Sequence, residues 1–133
     1  MDQEGSQMIR LTATAAMFFT LCSGSALAET QAWNITEVAV DGAQGQWYVT
    51  IDAANKLVGK TNMQFDTGST LSYELEGSVS NGTYVVKLLD RNDGKKGCVS
   101  SGNISLNPDK KSHKVLGDVQ CDGDEKFYIR GGY

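Results

Sequence analysis

Four sets of side chains in this chain have residue types suited to chemistry. Cys98 and Cys121 are two of its three cysteines, the third being Cys22. A redox or zinc site would need a C-x-x-C pair or clustered histidines. Neither is present, and His113 is the only histidine. Between the two cysteines sits Asn107-Pro108-Asp109-Lys110, a turn-forming cluster. A hairpin tip between Asp109 and Lys110 puts Cys98 opposite Cys121, so the pair reads as a cross-strand disulfide. For nucleophilic catalysis His113 would need a serine and an acid converging on it. No serine lies in a nucleophile-elbow setting, and a solvated imidazole at a hairpin end accounts for it. Glu74 and Glu76 share one side of a strand, an arrangement open to a glycosidase dyad, but their polar neighbours and an opposing Lys87 suit a solvated face. Asp118, Asp122, Asp124 and Glu125 offer oxygen ligands. Their spacing fits no EF-hand, and Asp122-Gly123 is ordinary turn chemistry. The expectation is no enzyme, no metal and no cofactor.

The remaining candidates concern binding. Lys95-Lys96 and Lys110-Lys111 fall in loops expected at one shared rim. There they would meet an anionic glycan, a lipid headgroup or an acidic protein, or simply be solvated. Trp47, Tyr48, Tyr128 and Arg130 are the other candidate ligand or partner contacts. The last strand has two registers. A three-residue turn at 122–124 turns Phe127 and Ile129 inward. A two-residue turn would turn Tyr128 and Arg130 inward, placing polar groups in the interior as a ligand site does. The first is preferred.

These residues must be carried by strands. Trp47, Val49 and Ile51 alternate with polar residues, as do Leu57–Phe65 and Leu71–Val79. Period two with one apolar side marks half-buried strands. Asn81-Gly82 is the favoured pair for a two-residue hairpin turn. It sets Val79 against Tyr84, Gly77 against Val86, Leu75 against Leu88 and Glu76 against Lys87, so apolar meets apolar and opposite charges meet outside. Asp66–Ser69 would set Phe65 against Leu71, Met63 against Tyr73 and Gly59 against Gly77. Eight strands follow, at about 32–40, 46–52, 57–66, 70–80, 83–90, 97–106, 113–121 and 125–132. Short connections make the fold all-β, an eight-stranded antiparallel up-and-down meander. It is expected to form a closed or nearly closed small barrel, which removes exposed edges. A two-layer β-sandwich is the alternative. Gly59, Gly77, Gly102 and Gly117 fall on the inner face, where they permit strong coiling.

The stretch from Gln46 to Thr61 resembles an early hairpin of avidin-type barrels. Gly45-Gln46-Trp47-Tyr48 is similar to the G-x-W opening of lipocalins and their relatives, the calycin-type barrels. The resemblance implies a barrel in which a basic residue of the last strand packs over the opening tryptophan, a part that falls to Arg130. No set of polar and tryptophan positions carries biotin binding across, so the resemblance speaks for fold alone.

Met8–Ala28 reads as a cleavable signal peptide behind a short extension. Arg10 supplies the positive start, Leu11–Leu21 is an apolar stretch too short to span a bilayer, and Ala26-Leu27-Ala28 fits the A-x-A cut. Lipidation at Cys22 is disfavoured because Leu21 is not small. Residues 1–28 are thus extension and signal, and 29–133 a single domain. Loss of Asp2, Glu4 and Arg10 lowers the acidic count from 16 to 14 and the basic count from 12 to 11, a net charge of −3. That balance carries no footprint for nucleic acid, and no apolar segment follows that would span a membrane. The sequons at Asn34, Asn81 and Asn103 read as chance in a bacterial secreted or periplasmic protein. The expected function is an exported, non-catalytic binding module for a protein or envelope partner, inhibitor-like or adhesive. A small-molecule carrier is the alternative, and a structural envelope component or hydrolase comes after it.

Overall fold

The computed structural model describes residues 29–133; the signal-peptide reading and Cys22 lie outside them. Nine strands run in chain order: β1 (Glu29–Val38), β2 (Ala43–Ile51), β3 (Lys56–Phe65), β4 (Thr70–Leu71), β5 (Glu74–Ser80), β6 (Thr83–Leu89), β7 (Cys98–Leu106), β8 (His113–Gln120) and β9 (Lys126–Gly132). Every neighbour pairs antiparallel, β9 returns to β1, and the short β4 prolongs β5 along β3. The meander therefore closes into an eight-stranded barrel, and closure rules out the open sandwich. Strand alternation sends odd-numbered residues of β1, β2 and β3 inward and even-numbered ones outward.

The expected hairpin around Asn81-Gly82 is present in full register, both residues at positive φ (52° and 78°) as a type I′ turn requires. The β7–β8 pairing also has the expected register, and the Cys98–Cys121 disulfide spans it. In a chain-entropy estimate, closing this loop contributes about 3 kcal/mol. Reducing the bond should lower the urea midpoint accordingly, and a Cys98→Ala/Cys121→Ala protein should match the reduced wild type.

The β3–β5 hairpin departs from expectation by two residues. Met63 pairs with Leu71, and Gly59 with Leu75. Gly68, at φ 100°, completes a three-residue loop in which the Phe65 N–H donates to the Ser69 carbonyl and the Gly68 N–H to the Phe65 carbonyl. A slip of two keeps every side chain on its face, so alternation could not detect it; only the turn decides. Between β4 and β5 the Thr61 hydroxyl stands in for a ladder partner, accepting from the Tyr73 N–H and donating to its carbonyl.

Strong coiling comes from inward glycines. A Cβ at Gly77 would collide with the Val85 carbonyl, and one at Gly102 with the Leu116 carbonyl. These strands cross their neighbours too closely for any side chain there.

Aromatic side chains fill the lumen end to end. His113 stacks on Tyr133 (centroids 4.6 Å), Tyr133 on Trp33 (5.2 Å) and Trp33 on Trp47 (6.2 Å); Tyr73 meets Trp47 edge-on (6.2 Å). Tyr84 closes on Trp33 from the side and shares a hydrogen bond with buried Ser100. Leu57, Met63, Leu71, Val86, Val115 and Ile129 pack around the column.

Candidate functional site at the upper rim

A meander alternates its connections between two ends. The upper rim carries the β1–β2, β3–β4, β6–β7 and β8–β9 connections, and the lower rim the β2–β3, β5–β6 and β7–β8 connections. Lys95-Lys96 therefore lie on the upper rim and Lys110-Lys111 on the lower one. The shared basic rim is not formed, because consecutive hairpin loops point opposite ways. Lys95 is also committed elsewhere, its ammonium 2.6 Å from Glu125 across the rim.

The last strand takes the preferred register. Gly123 and Asp124, at φ 77° and 60°, make the three-residue turn that sends Phe127 and Ile129 inward. Arg130 and Tyr128 consequently face out, Tyr128 being 64% exposed. Arg130 thus does not pack over Trp47, which corrects the part drawn from the calycin resemblance. Trp47 is fully buried and serves the core, while Tyr48 lies on the outer face of β2. His113 is held in its stack with Tyr133, and Glu74 and Glu76 point outward on β5. Among the described residues no three His, Cys, Asp or Glu side chains converge as a metal site.

The basic residue that does cap the core is Arg91, which the sequence reading missed. It follows β6 in the upper-rim loop and is 6% exposed. Its guanidinium donates to both oxygens of Glu37 (2.8 and 3.1 Å) and both of Asp93 (3.0 and 2.7 Å). It lies 4.8 Å from the Tyr73 ring centroid and 5.5 Å from that of Phe127. Trp47 Nε1–H donates to the Tyr73 hydroxyl, which donates to Glu37 Oε2. Thus the aromatic column ends in a fully bonded ionic plug. One signal was available: Glu37 continues the inward series Trp33, Ile35, and a carboxylate there demands a buried cation.

Electrostatics follow from this burial. Burial drives the Tyr73 phenol well above its ordinary pKa, and the Glu37 carboxylate beside it adds to the rise. Burial likewise pushes Tyr84 up to about 12, against the opposing Ser100 hydrogen bond. For Arg91, burial acts downward, but the hydrogen bonds it donates to Asp93 and Glu37 outweigh it and the net shift is upward. For Asp93, burial would raise the pKa, but the Arg91 hydrogen bond and the Lys95 N–H outweigh it and hold the carboxyl low. A lowered carboxyl contributes stability that is present above its unfolded pKa, about 3.9, and lost as pH falls through the lower folded value. Asp93→Asn should therefore flatten the acid arm of the stability curve below about pH 4, read by urea titration at stepped pH.

Above the plug lies an open groove of about 620 Å³. The β1–β2 loop forms one wall, with Val40 fully exposed and Val38 44% exposed; Tyr128 stands on the other wall. Phe65 and Phe127 contribute to its lining, Asp41, Asp66 and Glu125 add carboxylates to its edge, and Lys95 and Lys126 add ammonium groups. An apolar centre within a charged margin is the makeup of a protein-recognition patch. Val38 and Val40 were not singled out from sequence, because both sit where a strand gives way to a loop and periodicity stops.

Comparison with protein-family models, with curated proteins and with solved structures returns no match to this chain.

Proposed function

We propose that this chain is an exported, non-catalytic binding module that engages a protein partner through its upper rim. One observation carries the reading: the lumen is occupied by the protein's own aromatic column, while the rim groove beside Val40 and Tyr128 stands open. A carrier needs an enclosed apolar space for its cargo; here that space holds Trp33 and Trp47. The Cys98–Cys121 disulfide supports an oxidising compartment. A scaffold capped by an ionic plug would hold the rim loops in a set shape, which reduces the ordering cost of binding. The lining mixes apolar side chains with charges of both signs, which suits a partner segment that carries apolar residues within a charged margin.

The test uses the oxidised protein as bait against envelope extract, with native mass spectrometry of the same sample. A partner retained by wild type and lost by Val40→Asp and Tyr128→Ala would support rim docking. A partner kept equally by both variants, or a stoichiometric small molecule in the native mass spectrum, would overturn it.

A further inference from the structure

Away from the rim, the barrel wall has a charge pattern unlike the chain as a whole. Among the described side chains, outward positions of β8, β9, β1, β2 and β3 below the rim groove carry Lys56, Lys60, Lys114 and Arg130 against the single carboxylate Asp118. The whole chain, by contrast, has a formal net charge of −4. Within this wall is an open depression of about 680 Å³ whose lining includes no carboxylate.

Register defines what the depression presents. Gly132 sits between Lys114 on β8 and Asn34 on β1, so a side chain is missing at the centre of that row. Asn34 lies opposite Gln46. In the next row Arg130 sits between Leu116 and Thr36, and Thr36 lies opposite Gln44. Two cations therefore stand beside a bank of amides and a hydroxyl. Among the described residues neither Lys114 nor Arg130 makes an ion pair. The amides are already oriented: the Tyr48 hydroxyl donates to Gln46 Oε1, and Gln46 Nε2–H donates to Asn34 Oδ1 at 3.2 Å. With its oxygen engaged toward β2, Asn34 keeps its NH₂ donors for a ligand.

We infer that this depression is a binding site for an acidic saccharide, a sugar chain bearing uronate carboxylates. Amide side chains both donate and accept, which matches sugar hydroxyls that do the same. A guanidinium fork matches a carboxylate in two parallel hydrogen bonds. Leu116, 48% exposed, offers a small apolar surface for the C–H face of a pyranose ring. A protein partner would instead be met by a larger apolar centre; within the depression Leu116 is the one large apolar side chain that stands exposed.

The test titrates the isotope-labelled, disulfide-bonded protein with hexamers of galacturonate, of alginate and of glucuronate-containing hyaluronan. Neutral maltohexaose and poly-L-glutamate serve as controls. At least one uronate chain should saturably shift the side-chain amides of Asn34 and Gln46 and the Nε–H of Arg130. Maltohexaose should bind at least about tenfold more weakly, Arg130→Gln should weaken binding by about tenfold or more, and Asn34→Ala by several-fold. Absence of these shifts with all three uronates would overturn the site. So would wild-type affinity in Arg130→Gln, or an identical set of shifts with polyglutamate. Val40→Asp should leave saccharide binding intact, and Arg130→Gln should leave rim docking intact, so each reading fails on its own evidence.

Discussion

Replacing Arg91 with methionine should destabilise the barrel by about 3–5 kcal/mol, a large part of the total stability of a domain of this size. The reason is what the substitution leaves behind. Glu37 is 2% exposed and would keep only the Tyr73 hydroxyl as partner, so its carboxylate would be buried without a countercharge. Asp93 can turn to water from its place near the surface, and Glu37 cannot. A second variant separates the loss of the cation from the stranding of the anion. Glu37→Leu combined with Arg91→Met removes both charges, and replacing a whole buried ion pair by apolar groups is often close to neutral. The double variant should therefore recover most of the loss. Urea unfolding of the two single variants and the double variant forms a complete cycle. A cost below about 1 kcal/mol for Arg91→Met would mean that water reaches Glu37 and that the plug is not sealed.

That plug marks the boundary of what local sequence logic can reach. The Asn81-Gly82 hairpin was legible because its turn chemistry, its apolar pairs and its outer charges all require one register. The disulfide was legible for the same kind of reason, since a single turn cluster sits midway between two cysteines. The β3–β5 offset was not, because strand periodicity is blind to a slip of two and the Asp66–Ser69 run admits more than one loop. Arg91 was further out of reach. It lies in a loop with no periodicity and meets a carboxylate 54 positions away. The separation of Lys95 from Lys110 could have been read from the meander alone, since two loops joined by one strand cannot share an end. The aromatic residues were visible as core material. Their stacking into one column depended on a Trp33–Trp47 register that no turn signal specified.

Removing Trp33 tests the column directly. Trp33 is fully buried and touches Trp47, Tyr84 and Tyr133, so it joins the lower half of the lumen to the upper. Trp33→Ala should cost about 3–5 kcal/mol, through lost burial and the void that remains. For a domain of about this size, each 1 kcal/mol corresponds to roughly 4–8 °C in Tm. The void should be on the order of 150 Å³, a size that stays dry and accepts a small aromatic molecule when its walls are apolar. The rings of Trp47, Tyr84 and Tyr133 supply such walls, and Gln31 Oε1, which accepts from the Trp33 Nε1–H, stands where it would accept from the N–H of added indole. Added indole should then raise the Tm of Trp33→Ala in a concentration-dependent way and leave wild type unchanged, because a ligand stabilises only the state that binds it. Indole protection of the wild type would reveal free space in the lumen and restore the carrier reading. A destabilised variant that ignores indole would mean that the barrel collapses onto the vacancy. Indole rescue confined to the variant would establish that Trp33 alone fills this part of the lumen and leaves no room there for a second ring.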